Sequence, residues 1–507
     1  MKRTSRRELL GRAASVGALL PVLRQTAAAK GAERRKRPNV LLITSEDNGP
    51  ELGCYGDPYA RTPALDKLAA EGVRFANAYV TNPVCSPSRG TIFTGLYPHQ
   101  NGQIGLATHK YAMYRKWPNV VSLLKRAGYR TGIIGKIHVN PESAFPCDYR
   151  ALPGSNFNMR DVRKYAAAAE KFIAADAGPL FLMVNFPDAH FPLLKQYAGL
   201  PKKPLGAADV KALPFIGADN ERLRKYTANY YNCLSRLDTG VGLLLAALKK
   251  AGKADDTLVV YVGDHGAQFS RGKTTLYEGG LRVPMILRRG GQMKAGSHCD
   301  ELVSTIDILP TILSATGIDA PGNLPGRNLL PLCAGKGTPW RRYLFAEKDG
   351  AAPFWTYPSR TVRDERYKLK VNLLQDRPDP THDAYATRRI AFFVAGATGE
   401  DVASAPPRVR EAYATWKKGP PVELYDLKED PHEWVNLAGR PEHAETRQRL
   451  ARALEAWQER TGDPMADPVK RARYVAEMDR VVAEKINYRR KKGFRWGYLS
   501  YLAPAGT

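Results

Sequence analysis

Three short apolar runs constrain the fold of this chain more than any other feature. Residues 39–44 (NVLLIT), 180–186 (LFLMVNF) and 257–262 (TLVVYV) are apolar with little alternation, and 131–134 (TGII) reads as a further strand. Continuous runs of this length read as strands buried on both faces. Helical patterns lie between them. Residues 62–72 (TPALDKLAAEG) combine a Thr cap, a proline in the first turn, apolar spacing and a closing glycine, which is helix grammar. Residues 119–128 repeat it. A long helix is predicted over about 220–252, a strand over 283–287 and a helix over 305–317. Strands alternating with helices predict an α/β fold with a mostly parallel central sheet flanked by helices.

The chain has 507 residues, so more than one domain is expected. The texture changes after about Trp340. Residues 360–373 read as a pair of exposed strands, 423–437 as strand then turn, and 442–461 as an amphipathic helix. Segments 375–380 and 403–407 read as loops. The expected division is a larger domain over 38–340 and a smaller α+β domain with an antiparallel sheet over 341–507. The basic, partly helical tail over 470–495 reads as solvated surface.

Residues 1–29 run from paired Arg6-Arg7 through a moderately apolar stretch to small residues. That order predicts an export signal of the twin-arginine type, hence a periplasmic or secreted protein. Residues 30–37 read as a basic tether. No apolar run reaches the ~18 residues of a membrane span. Lys and Arg number 77 against 50 Asp and Glu, and beyond residue 29 there remain 71 bases against 49 acids. Such a balance favours polyanionic partners. No nucleic-acid-binding motif accompanies it. The six cysteines, at 54, 85, 147, 233, 299 and 333, are too sparse for a disulfide scaffold.

Three strand ends carry chemistry: Ser45-Glu46-Asp47, Lys136-Ile137-His138 and Gly263-Asp264-His265. Open α/β sheets bind ligands at that edge. Lys136 and His138 are predicted on one face of an extended segment at period two. In NPVCSPSRGTIFTG, Cys85 is expected just before a helix that Ser86 or Ser88 caps, with Arg89 one turn later. A helix N-terminus favours an anion. On chemistry alone Cys85 is a nucleophilic thiolate, part of an anion-binding loop or a buried structural thiol.

The string CSPSR resembles the C-x-P-S-R signature of type I, formylglycine-dependent sulfatases, with the alkaline-phosphatase-like sulfatase fold. NVLLITSEDNGPELGCYGD, GKIH and GDHG resemble further motifs of that family. CSPSRGTIFTGLYPHQNGQIGL, AGYRTGIIGKIHVNPESAFPCDY, RYKLKVNLLQD and ELYDLKEDPHEWVNLAGRPE resemble its sulfamidase branch, the N-sulfoglucosamine sulfohydrolase type. The resemblance covers roughly residues 38–465. It implies that Cys85 is oxidised to formylglycine by a maturation enzyme, and that the hydrated aldehyde attacks sulfur. It implies metal ligands at Glu46, Asp47, Asp264, His265 and residue 85 for Ca²⁺ or Mg²⁺, with Glu46 standing where the family has Asp. It implies that Arg89, Lys136 and Lys273 bind sulfate. His190 would protonate the leaving group, His138 would take a proton from residue 85, and Asp188 would contact substrate. The implied function is hydrolysis of sulfate esters or sulfamates of a sulfated glycan. The alternatives are a phosphodiesterase or phosphonate monoester hydrolase of the same superfamily, and a non-catalytic polyanion binder. The sugar, the linkage and the oligomeric state stay open.

Overall fold

In the computed structural model the described residues are 37–154, 159–175, 178–322, 324–388 and 391–504. The expected signal over 1–29 lies outside them, as does the tether apart from Arg37.

Eight strands form the central sheet: β1 (Asn39–Ser45), β2 (Val73–Tyr79), β3 (Arg130–Ile134), β4 (Tyr149–Ala151), β5 (Leu180–Asn185), β6 (Thr257–Gly263), β7 (Met285–Arg288) and β8 (Ser297–Ser304). Their order is β4-β3-β5-β1-β6-β7-β2-β8. Every pairing is parallel except the two made by β7. All seven residues of β1 are buried, as its uninterrupted apolar run requires. Leu41 and Ile43 point into one core and Val40 and Leu42 into the other, the two-fold alternation of a strand with both faces covered. The Glu221–Lys250 helix covers the first face with Leu234, Leu237, Val241 and Leu244.

A second sheet is antiparallel throughout, in the order β12-β11-β10-β9. It comprises β9 (Leu344–Lys348), β10 (Ser359–Arg363), β11 (Tyr367–Asn372) and β12 (Val422–Asp426). The Ala444–Thr461 helix packs Leu450, Leu454 and Trp457 on Val362, Leu369 and Leu424. The predicted exposure of residues 360–373 is corrected here. All five residues of β10 are buried, because the helix covers one face and ion pairs fill the other. Arg360, for example, pairs with Asp349 and Asp463. Residues 375–379 and 404–406 lie outside helices and strands as read, bounded by the helices Pro380–Thr387, Gly399–Ala403 and Pro407–Lys417.

The tail is likewise not merely solvated surface. Tyr474, Met478, Trp496 and Tyr498 pack on Ile104 and Tyr111 of the first part of the chain. Its basic residues point outward, while aromatic and aliphatic residues at helical spacing make the contact. Among the described residues, no helix is long and apolar enough to cross a membrane.

Candidate active site

Sheet register builds the site. β1 and β6 run parallel with Ser45 beside Gly263, so the residues that follow, Glu46-Asp47 and Asp264-His265, emerge as neighbours. The Asp264 amide donates to Ser45 O at 3.0 Å, and the Asp47 amide to Asp264 Oδ1 at 3.0 Å. On the other side of β1, Thr44 pairs with Asn185 of β5, and Val184 of β5 with Ile134 of β3. The three chemically loaded ends of β3, β1 and β6 therefore lie on one edge of the β3-β5-β1-β6 run, with β5 between the first two.

Lys136 and His138 reach the site differently from the sequence expectation. β3 stops at Ile134, and Gly135 turns the chain at φ 89°. A Cβ there would lie 2.3 Å from Asn185 O, so only glycine fits. A tight loop, not a period-two strand, carries both side chains to the same cavity. Asp47, His138 and Thr274 have φ of 51°, 59° and 70°. Left-handed backbone at non-glycine residues concentrates at functional sites.

Cys85 is the first residue of the Cys85–Thr94 helix, with Val84 at the cap and no capping side chain. The expected serine caps are otherwise engaged: Ser86 Oγ accepts from the Ala107 amide, and Ser88 Oγ donates to Asp264 O. The sulfur thus sits among the unpaired N–H groups of a helix start.

Cys85, Lys136, His138, His190 and Lys273 line one cavity of about 380 Å³. The acids lie against them. Lys136 Nζ donates to Glu46 Oε2 at 2.8 Å, and Lys273 Nζ to Asp47 at 2.9 and 2.8 Å. His265 Nε2 is 3.1 Å from Cys85 Sγ and 3.3 Å from Asp47 Oδ1. Arg89 does not line the cavity. It is fully buried and donates to Asp264 Oδ2 at 3.1 and 2.9 Å and to Asn185 Oδ1 at 2.5 Å, so it holds the acids in place. Asp188 is also outside the cavity. Arg236 grips both its oxygens at 2.7 Å, and Arg160 adds a bond at 3.2 Å. Three bonds from buried guanidinium groups thus tie Asp188 to the scaffold.

The site's charges tune one another. Burial raises the Cys85 thiol, but Lys136, Lys273 and His265 together bring it below its ordinary value. Burial raises each of the other five thiols, and all six are unpaired by disulfides. Burial also opposes the charge of Asp264, yet His265, Arg89 and Lys136 hold its carboxyl below the usual range. His265 is pushed up to about 9 against burial, by Asp264, Cys85 and Asp47. Burial and then the lysines keep His138 and His190 well below the ordinary histidine range, so both rings are neutral before an anion arrives.

The residues fit a hard divalent cation. Donor atoms of Asp47, Cys85, Asp264 and His265 lie within 4.8 Å of one another, all buried. Carboxylate oxygens with an oxygen on residue 85 make a donor set suited to Ca²⁺ or Mg²⁺. Glu46 departs from the expected cluster. It groups with Asp47 and His190, because its longer side chain reaches Lys136 and, at 2.8 Å, Asn185 Nδ2.

Some residues of the site were not anticipated. Asn185, which bonds Arg89 and Glu46 behind the cavity, ends β5 with the same polar-after-apolar pattern as the other strand ends and was legible in principle. His109, Trp355, Phe392, Phe393 and Arg489 also line the cavity, but nothing local to them signals a site.

The fold and this constellation define a sulfatase-like enzyme, and comparison with known proteins agrees. The Sulfatase family model matches residues 38–318, and the N-sulphoglucosamine sulphohydrolase C-terminal model matches residues 263–377. The chain belongs to the sulfatase family. Human N-sulphoglucosamine sulphohydrolase is 32% identical over 492 residues, covering 89% of this chain and 94% of its own. An ulvan-active sulfatase of Formosa agariphila is 28% identical over 454 residues, covering 86% and 83%. A solved 2-O GAG sulfatase shares the fold with a TM-score of 0.65 at 22% identity, covering 86% of this chain and 96% of its own. Phosphonate monoester hydrolase of Agrobacterium radiobacter shares it at 0.62 and 21%, covering 84% and 96%.

Proposed function

We propose that this chain hydrolyses sulfate esters or sulfamates of a sulfated glycan through a formylglycine made from Cys85. The observation that carries the reading is the meeting of Cys85, Lys136, His138, His190 and Lys273 around one cavity. The names of the relatives, N-sulphoglucosamine sulphohydrolase and ulvan-active sulfatase, support a sulfated glycan as the substrate class.

A sulfate monoester is an anion, and an attacking oxygen brings more negative charge. Lys136 and Lys273 supply fixed positive charge where it accumulates, in a site whose low polarisability strengthens the attraction. Each ammonium has three donors, so a lysine bonded to Glu46 or Asp47 retains N–H groups for a sulfonyl oxygen. Arg89 keeps Asp264 ionised and in place. Asp47, Asp264, His265 and residue 85 would hold the divalent cation, with Glu46 beside them. When bound, the cation supplies a Lewis acid that polarises the attacking oxygen.

His190 donates from Nδ1 to Phe191 O at 2.8 Å, leaving Nε2 as the titrating nitrogen. A bound sulfate offsets the lysine field, raises this ring and lets it protonate the leaving oxygen or nitrogen. The ring nitrogens of His138 are buried without a partner. His138 accepts the proton released from residue 85 as sulfate departs. An unmodified thiol or serine has no second hydroxyl to expel sulfate, which is the chemical reason for an aldehyde. Residues 38–340 supply these groups, and residues 341–507 close the cavity with Trp355, Phe392 and Phe393. Export by the twin-arginine route and maturation by a formylglycine-generating enzyme complete the proposal.

The test is sulfate release from defined heparan, chondroitin and algal oligosaccharides, with the state of residue 85 read by mass. Release by the matured protein, abolished in Cys85→Ala, is expected. Turnover of an aryl phosphate diester with no sulfate release from any substrate overturns the proposal.

A further inference from the structure

The active-site cavity continues into an outer groove of about 340 Å³, and His109, Trp355, Phe392 and Arg489 line both. Residues 486–489 of the tail form one side of the groove, and Phe354 and Trp355 face them. The tail lies beyond the residues matched by either family model.

This rim is held firmly. Tyr488 hydrogen-bonds His109 Nδ1, Trp496 Nε1 donates to His109 O at 2.9 Å, and Lys110 Nζ donates to Lys491 O at 2.6 Å. The backbone on both sides of Arg489 is therefore tied to the loop that carries His109. Arg489 itself is exposed, and among the described residues no carboxylate pairs with it. Phe354 is 42% exposed, the only exposed Phe, Trp or Tyr among the described residues. Its ring packs on Trp355 at 4.6 Å. An exposed phenyl ring packed on a half-buried indole, across the groove from a guanidinium, suits a sugar ring bearing a negative group: the ring covers the aromatic surface, and the guanidinium makes charge-assisted bonds to carboxylate or sulfate.

We propose that this groove is a subsite for the sugar adjoining the one that loses sulfate, and that Arg489 selects an anionic group on that neighbour. The inference rests on the sulfatase reading of the inner cavity. It makes the tail a specificity element, and it makes the preferred substrate an oligosaccharide with a uronate or a second sulfate next to the target.

The test compares matured wild type, Arg489→Ala and Arg489→Lys on four substrates: a sulfated monosaccharide, and disaccharides whose neighbouring sugar is a uronate, sulfated or neutral. Loss of a charge-assisted contact should raise KM about tenfold or more for the anionic-neighbour substrates. kcat and both other substrates should stay within about twofold, and lysine should restore part of the loss. Whichever anionic neighbour suffers more identifies carboxylate or sulfate. Equal change on all four substrates, or no change on any, overturns the proposal. A binding arm, calorimetry of the same disaccharides on Cys85→Ala with and without Arg489→Ala, decides the matter without turnover. Weaker binding of the anionic-neighbour disaccharides on losing Arg489 supports the subsite, while equal or absent binding overturns it. If the wild type cleaves no sulfate at all, the proposed function fails. If it cleaves normally and Arg489 is indifferent, only the subsite fails.

Discussion

Lys273 Nζ lies 2.9 and 2.8 Å from the two carboxylate oxygens of Asp47, across 226 residues of sequence. The cation expected to clamp sulfate and an acid expected to hold the metal are thus direct partners. Asp47 raises the ammonium far above its ordinary value, against the effect of burial, so the charge is permanent. Removing it in Lys273→Ala should lower kcat on an aryl sulfate about 10²-fold or more, as for other groups aimed at developing charge. Lys273→Arg should retain more activity. Equal kcat in all three proteins would remove Lys273 from the chemistry.

Divalent ions should bind where Asp47, Asp264 and His265 converge. Adding Ca²⁺ or Mg²⁺ at a hundredfold excess over Kd should stabilise the fold by about 2.7 kcal/mol, and a chelator should reverse this and abolish turnover. Asp264→Asn should blunt the shift. A melting temperature indifferent to both ions would remove the metal from the account.

The proposed proton donor, His190, has a separate signature. His190→Ala should lose most rate with poor leaving groups and least with activated aryl sulfates, because only the former need protonation. The readout is the slope of log kcat/KM against leaving-group pKa, which should steepen. An unchanged slope would assign His190 to positioning.

Asp188 should behave as structure. Its carboxylate is buried between Arg160 and Arg236, and breaking a buried ion pair costs about 3–5 kcal/mol. Asp188→Ala should therefore lower stability by about that much in denaturant unfolding. Under conditions where the variant stays folded, KM for substrate should change little. A large KM effect with unaltered stability would restore the substrate-contact role read from the sequence.

His99 ties the central part of the chain to the second sheet. It pairs with Glu347 of β9, fully buried. Burial lowers this ring, but the Glu347 carboxylate outweighs burial and raises it above the ordinary value. A group raised in the folded state contributes its full stability below the unfolded pKa and loses it as pH rises through the folded value. The stability gap between wild type and His99→Asn should therefore be wide below the ordinary histidine value of about 6.5 and narrow as pH rises above it. A gap that widens with pH would contradict the charged pair.

Local pattern carried a large share of this protein. Uninterrupted apolar runs announced β1, β5 and β6, because a strand covered on both faces cannot spare a polar position. The polar triplets at the ends of β1, β3 and β6 announced the site edge, and CSPSR marked the helix start that bears Cys85. What those strings could not express is which segment returns beside which. Ser45 meets Gly263 only through parallel register. Asp188 stands as a substrate contact by resemblance until Arg160 and Arg236 fold over it, and residues 360–373 read as exposed until a helix eighty residues later covers them. Arg489 is one base in a basic tail until Trp496 and Tyr488 dock on His109. Burial and turn chemistry are local properties and leave their trace along the chain. A side chain's partner is decided by long-range packing, where contacts between residues hundreds of positions apart form only once the whole core is assembled.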